Sequence, residues 1–476
     1  MLSGGRRGLT AKARSLTLSA MFRIGNGAGF SGDRIDAPGP VVDTLIARGG
    51  PAAIFFEVLG ERTVALAQLE KRRDPARGFE PMLERLLEPI LEKCARHGIR
   101  IVGNFGAANP VGAARAVARL AERLGLGSLR IGVVEGDDIR AQIDIAKLDV
   151  YEADAALDQG GSEIVSANAY LNAQPMVEAL RAGAQIVVTG RCGDPSLALA
   201  PLIHHYGWAE DDWNKLALGS AVGHLLECGS QVTGGVYYDP GYKDIPDPAN
   251  IGFPIAEVSA DGRIVITKAD ATGGLVNLQV VKEQLIYEVH DPANYITPDV
   301  TLDFSGVSLR QLGADRVEVL GVRGKPAPER LKATVCFEGG WLGEGEISVA
   351  GPNCLARAKS IAEVLLERLR RRKLKVQTRV DLIGIASVHD DDSGTLWRAY
   401  TGPEPADIRV RLAVAGAAHD EVDQAAREVL ALLCCGPAGS GGARWRTTQR
   451  IRTQSYLVPR TSVHPRVSVK PAGEWL

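Results

Sequence analysis

Two stretches carry residue types whose spacing suits chemistry. In Arg23-Ile24-Gly25-Asn26-Gly27-Ala28-Gly29-Phe30-Ser31-Gly32-Asp33-Arg34, four glycines fall within eight positions, after a short apolar lead-in and ahead of a helix-like segment. Glycine reaches positive φ without steric cost and leaves main-chain N–H groups open to a ligand. Where such a loop feeds a helix, those groups and the helix dipole favour an anion. Gly25, Asn26, Gly27, Gly29, Ser31 and Gly32 are therefore candidates for holding an anion or carboxylate. The spacing is neither G-x-G-x-x-G nor the phosphate-loop pattern, and a tight strand-to-helix turn uses the same residue types.

The second stretch is Thr189-Gly190-Arg191-Cys192-Gly193-Asp194-Pro195-Ser196. Arg191 offers a planar guanidinium that grips a carboxylate or phosphate bidentately, with an acid three residues on. Asp194 is a catalytic candidate, and ahead of Pro195 it also reads as a helix N-cap. Glu227 and His290 are the acid/base candidates further along. Imidazole titrates nearest neutrality and burial lifts a carboxyl into the same range, which suits proton abstraction beside a carbonyl or addition of water to a double bond. Glu227 closes an apparent helix and has pairing with a cation as its plainer role; His290, ahead of Asp291-Pro292, has a turn-backbone bond as its own. Cys192 lacks a base and reads as a packed thiol. His204 and His205 point about 100° apart on a helix. The pairs Asp137/Asp138 and Glu344/Glu346 read as capping or solvent-facing, so no metal site is expected.

Positioning these residues requires a sheet. Candidate strands at Leu18–Ile24, Ala53–Val58, Ile99–Gly103, Arg130–Glu135, Glu163–Ser166 and Ile186–Gly190 alternate with helical patterns at Val41–Arg48, Pro81–His97, Val111–Leu124, Asp138–Lys147 and Pro175–Ala182. The alternation predicts a Rossmann-like, doubly wound, mostly parallel α/β sheet over residues 20–208, with ligands outside the carboxyl ends of its strands. Five polar loops follow those strands, adding Asn109, Asp137 and Asn168 to the binding candidates. Residues 209–372 turn Gly-rich and β-leaning, an α+β part that closes on a helix at Asn353–Arg372. Residues 378–476 read as a small ferredoxin-like α/β domain, and residues 1–20 as a disordered tail.

Composition narrows the function classes. Hydrophobic residues are 45% and charged residues 24%, with a formal net charge of -2, which gives no case for a nucleic-acid surface. Seven cysteines without a C-x-x-C pair fit a reduced cytosolic interior. No apolar run approaches the ~18 residues of a membrane span.

Several strings gain meaning together: Arg23–Asp36, Ser166-Ala167-Asn168-Ala169-Tyr170, Thr189–Leu197, Gly223-His224-Leu225-Leu226-Glu227-Cys228, Gly252-Phe253-Pro254, Lys282–Glu288 with Val289-His290-Asp291-Pro292, and Thr297-Pro298-Asp299-Val300. Over residues 20–372 the chain closely resembles the acyclic terpene utilisation, or AtuA-like, family, once catalogued as a domain of unknown function. Residues 378–476 resemble the small C-terminal domain that some members carry fused. Cys192 and Gly193 depart from the family's usual small aliphatic residue and alanine. The resemblance implies a place in the breakdown of acyclic terpenes such as citronellol and geraniol, which runs through branched acyl-CoA esters. The expectation is a cytoplasmic enzyme of branched acyl-CoA or small-carboxylate catabolism, a hydratase, isomerase or lyase. The alternative is a non-catalytic acyl-CoA or anion-binding subunit that supports a partner enzyme. No cofactor is expected beyond CoA as part of the substrate, no nucleic-acid or membrane partner, and a homo-oligomer is the expected assembly.

Overall fold

The computed structural model describes residues 21–144, 148–151 and 163–476; the expected tail at 1–20 lies outside them. The chain divides into two compact units. The larger contains the described residues through Tyr151, Val165–Cys336 and Thr453–Leu476; the smaller contains 163–164 and Phe337–Arg452.

The larger unit begins with β1 (Phe22–Ala28), α1 (Pro38–Arg48), β2 (Ala52–Phe56), α2 (Glu61–Arg73), the short α3 (Leu83–Leu87) and α4 (Leu91–His97), β3 (Arg100–Gly103), α5 (Pro110–Arg123) and β4 (Arg130–Glu135). After β5 (Asp149–Val150) and β6 (Ile164–Ala169) come α6 (Gln174–Arg181), β7 (Ile186–Thr189), α7 (Ser196–Tyr206) and α8 (Trp213–Leu226). The chain continues with β8 (Pro254–Val258), β9 (Ile264–Lys268), α9 (Leu278–Ile286), β10 (Tyr295–Ile296), β11 (Thr301–Asp303), β12 (Ser308–Gly313), β13 (Arg316–Leu320), β14 (Arg323–Lys325) and β15 (Arg330–Ala350). Next are α10 (Cys354–Arg371), β16 (Gln377–Ile383), α11 (Thr395–Ala399), β17 (Asp407–Gly416), α12 (His419–Ala426), α13 (Glu428–Cys435), β18 (Ser440–Pro459) and β19 (Arg466–Pro471).

Ten strands of the larger unit make one mixed sheet, ordered β12-β13-β9-β8-β1-β2-β3-β7-β4-β19. The four pairings from β1 to β4 are parallel and the five around them antiparallel. The strands β1, β2 and β7 are buried along their whole length, so their apolar runs are continuous rather than alternating. Around them Val41, Leu45, Ile54, Phe56, Phe105 and Val117 belong to one core.

The sheet is therefore mixed rather than mostly parallel, because the strands expected to form a separate α+β part extend the same sheet. The expected strand near Glu163–Ser166 is β6, which stays out of that sheet and pairs with β15. The described part of the expected helix at Asp138–Lys147 is turn and coil, and the Pro81–His97 pattern is broken into α3 and α4. The helix expected to close the α+β part, α10, belongs to the smaller unit, whose core joins Ile361 and Leu365 to Leu382, Val410 and Leu412. That unit starts at Phe337 rather than near 378. Residues 453–476 lie in the larger unit because β19 pairs antiparallel with β4, Val467 opposite Val134. Within the smaller unit the strands run in the order β16-β17-β15-β18, with α10 between β15 and β16, the short α11 between β16 and β17, and α12 and α13 between β17 and β18. No helix among the described residues is long and apolar enough to cross a membrane.

Candidate active site

A cavity of about 710 Å³ opens in the larger unit where the segments after β1, β2, β7, α8 and α9 meet. Leu59, Ile296, Pro298, Leu331 and Leu457 give it apolar wall, and Glu57, Glu61, Arg191, Asp194, Glu227 and Lys332 give it charge.

Arg191 holds one side together. Strand β7 delivers it to the carboxyl end of the sheet, where its side chain is 3% exposed. The guanidinium lies 2.5 Å from Asp194 Oδ1, donates to the Leu59 carbonyl at 2.6 Å, and sits 4.1 Å from the centre of the Tyr170 ring. Glu61 is 3.8 Å away and also takes Lys332 at 3.4 Å and the Tyr170 hydroxyl. Burial works against the Glu61 charge, but Arg191, Tyr170 and Lys332 outweigh it and hold the carboxyl down at about 2. Burial pushes Asp194 up, opposed by Arg191. Behind the loop, Asp137 Oδ2 accepts from the Arg191 backbone N–H and from Asn168 Nδ2, both at 2.8 Å. Burial raises Asp137 to about 6. The buried Asp299 carboxylate accepts from Ser196 Oγ, at the start of α7, and from Ala173 N at 2.8 Å, ahead of α6. It thereby fixes the segment that carries Arg191 and Asp194.

The opposite side is a second titratable group. His224, on α8, and Glu227, its C-cap in the right-handed helical conformation, are three residues apart and so share a face. Gly223 lets that helix close on α7, since a Cβ there would stand 2.4 Å from the Pro195 carbonyl oxygen. His224 Nδ1 is 3.4 Å from Glu227 Oε1. Glu227 Oε2 is buried and has no hydrogen-bond partner among the described residues. Burial raises Glu227 to about 7, His224 lowering it and the Asp194 charge adding to the rise. Glu57, after β2, is raised to about 8 by burial and then by the Asp194 charge, even though its Oε1 accepts from Leu59 N at 3.0 Å and Asn104 Nδ2 at 2.8 Å. One cavity thus holds a carboxyl that its cations hold down, Glu61, and two that burial raises, Glu57 and Glu227.

The sequence-derived candidates fall in several places. Gly29, Arg191, Asp194 and Glu227 line the cavity, whereas His290 is exposed and does not. Asp194 is no helix cap: Pro195 is the N-cap of α7 and has no side-chain bond, while the Asp194 carboxylate goes to Arg191. Arg191 is engaged by Asp194 and the Leu59 carbonyl and lies near Glu61, while its Nε has no partner among the described residues. Gly25, Asn26 and Gly27 lie within β1 rather than in a loop. A Cβ at Gly25 would stand 2.3 Å from Val41 and one at Gly27 2.4 Å from the Phe56 ring, so glycine serves packing there. Asn26 Nδ2 donates to the Glu227 carbonyl at 3.4 Å. The Gly29 N–H is bound to Asp33 Oδ2 at 2.8 Å, and α1 starts only at Pro38, so the loop does not feed directly into that helix. Ser31 bonds the Glu80 side chain, and Gly32 makes a turn at φ +93. Asn109 caps α5 through Gly112 N at 3.0 Å. Asp137 and Asn168 support the cavity without lining it. Glu344 and Glu346 each pair with two arginines, Arg411 with Arg446 and Arg409 with Arg444.

Sequence reasoning missed Glu57, Glu61, Tyr170, His224, Tyr295 and Lys332. The spacing from His224 to Glu227 was a usable signal, as were two glutamates directly after a candidate strand. Tyr295 and Lys332 reach the site from distant segments and leave no local pattern.

No curated protein matches the sequence. Among solved structures, a de novo designed protein, Foldit4, aligns at 13% identity over 23% of this chain and 97% of its own, with a TM-score of 0.17. A homoserine dehydrogenase from Thiobacillus denitrificans aligns at 9% identity over 90% of this chain and 98% of its own, with a TM-score of 0.15. Neither likeness is close enough to inform the fold. The family described as "Acyclic terpene utilisation family protein AtuA" matches residues 22–469, a span that takes in every wall of the cavity, and the chain belongs to that family.

Proposed function

We propose that this protein is an enzyme of acyclic terpene utilisation that moves protons on a branched acyl-CoA or related small carboxylate, as a hydratase, isomerase or lyase. One observation carries the reading: Glu227, raised to about 7, lines a 710 Å³ cavity with Oε2 unclaimed by the protein. A carboxyl titrating there is populated in both protonation states at working pH, as general acid/base catalysis requires. Glu57 is a second such group, so one carboxyl can protonate while the other abstracts. The apolar wall of Leu59, Ile296, Leu331 and Leu457 suits a branched hydrocarbon tail. The closed Arg191–Asp194–Glu61 network frames the cavity and keeps the two loops in register.

The test is turnover of branched enoyl-CoA and 3-hydroxyacyl-CoA esters by the full chain. Glu227→Gln should lower kcat by about 10²–10⁴ and leave affinity within a few-fold, and His290→Gln should change neither. Tight binding of these esters with no turnover by the wild type would refute the enzyme and leave an acyl-CoA-binding subunit.

A further inference from the structure

His224 is completely buried on α8, and three partners fix its ring. Nε2 lies 3.2 Å from the Leu285 carbonyl, while Nδ1 lies 3.4 Å from Glu227 Oε1 and 3.4 Å from the Tyr295 hydroxyl. A carbonyl only accepts, so Nε2 carries a hydrogen. The neutral ring then offers a bare Nδ1 that accepts from a protonated Glu227 or from Tyr295, and the charged ring donates Nδ1–H to Glu227. When the ring is charged, or neutral beside a carboxyl protonated at Oε1, the Nδ1–Oε1 contact holds a proton, while the other carboxyl oxygen, Oε2, has no partner among the described residues. Gln284 Nε2 also donates to the His224 carbonyl at 3.2 Å, and the Tyr295 ring packs 5.0 Å from His224 and 5.8 Å from Phe304. The arrangement is thus held from α9 and from β10.

We propose that His224 is the proton store of this cavity and that Glu227 is the bridge through which its proton reaches a ligand. When Oε2 gives its proton to a ligand atom, Oε1 takes the proton from Nδ1. The carboxyl stays protonated, now through Oε1, and the imidazolium becomes neutral imidazole whose Nδ1 accepts from Oε1–H; the Tyr295 hydroxyl takes that lone pair only when Glu227 is a carboxylate. Abstraction runs the same steps backwards, so one proton enters or leaves the ligand for each one that leaves or enters the ring. His224 never touches the ligand in this scheme and is a positioning residue that acts through Glu227, while Tyr295 both bonds Nδ1 and lines the cavity. The other charged or titratable groups around Glu227 are Asp194 ahead of α7, Cys228 beside it and Glu288 after α9. The inference rests on the acid/base reading of the cavity.

The test uses the full-length protein without ligand, with ¹⁵N-labelled histidine for nuclear magnetic resonance and ¹³C-labelled glutamate for infrared spectroscopy. In the neutral ring, His224 should carry its hydrogen on Nε2 and show Nδ1 as a hydrogen-bond acceptor. A protonated-carboxyl band absent from Glu227→Gln should titrate near 7. His224→Asn should move that midpoint up by about one pH unit, a tenfold change, because the partner that favours the carboxylate is gone. Tyr295→Phe keeps the ring packing and should shift the Nδ1 signal towards that of an unbonded nitrogen. A neutral ring with its hydrogen on Nδ1, or a carboxyl midpoint unmoved in His224→Asn, would overturn the proposal. If His224→Asn does not fold, the tautomer and Tyr295→Phe decide. The wrong tautomer combined with lost turnover in Glu227→Gln would discard the proton store and keep the enzyme.

Discussion

Replacing Arg191 by Gln should be far more damaging than loss of a ligand contact. The Arg191 side chain is 3% exposed, and its removal leaves Asp194 without its salt-bridge partner, the Leu59 carbonyl without its donor and the Tyr170 ring with only Lys332 over it. Breaking a buried ion pair from one side costs about 3–5 kcal/mol, and the lost stacking on Tyr170 is part of that figure. For a unit the size of the larger one each kcal/mol is worth roughly 1–2 °C, so the melting temperature should fall by about 5 °C. Arg191→Lys should restore little, since an ammonium cannot face Asp194 and the Leu59 carbonyl while lying flat on a ring. Acid sensitivity gives a second readout. In the wild type, Glu61 at about 2 against an ordinary 4.5 contributes stability that is full above about 4.5 and is lost as pH falls towards 2. With Arg191 gone that acid limb should be shallower. Thermal unfolding followed by circular dichroism from pH 3 to 8 measures both effects. In the Arg191→Gln background, Asp194→Asn should cost about 1–3 kcal/mol less than it does alone. An Arg191→Gln protein within about 1 kcal/mol of wild type, or strictly additive mutations, would refute the argument that this network holds the site together.

Two further outcomes follow from the same geometry. Glu57, raised to about 8, favours the folded state when protonated, so its contribution is full below about 4.5 and is lost as pH rises through 8; Glu57→Gln should flatten the fall in melting temperature between pH 5 and 8, and an unchanged slope would count against its burial. Gly29→Ala would place a Cβ 2.5 Å from the Cys228 carbonyl carbon, next to Glu227. It should cost about 1–3 kcal/mol by thermal unfolding and lower kcat as well, and a variant that matches wild type in both would show that the two segments can part without harm.

The parallel strands were legible because each is buried on both faces, and continuous apolar runs such as Ala52–Phe56 stand out without partners. The antiparallel strands β8, β9, β12 and β13 were read as a separate part, since nothing local tells a strand which sheet edge it will extend. Asp194 illustrates the limit at the site: Asp-Pro ahead of a helix has the same spelling whether the carboxylate caps the helix or binds an arginine, and only the position of Arg191 one turn back decides. His290 was chosen for its type, whereas His224 has the buried position. Glu57 and Glu61 carry no local mark that sets them apart from other glutamates at a strand end. Their roles depend on Arg191 and Asp194, more than a hundred residues later in the chain.

The pairing of β19 with β4 has a consequence for how the protein is made. The Trp475 side chain donates to the Ile131 carbonyl across 344 positions, and the Ala472 N–H donates to the Leu129 carbonyl. On a ribosome adding about 5–20 residues per second, β4 waits on the order of tens of seconds for the strand that covers it. All that time its open edge can template pairing with another nascent chain. A stop anywhere before Arg466 leaves that edge bare for good, so clones shortened to the end of the larger unit's second segment at Cys336 should be recovered as aggregate even though the strands β1, β2, β3 and β7 are all encoded. Yield from such clones, compared with the full chain at low temperature and with added chaperone, is a property of translation order rather than of the cavity.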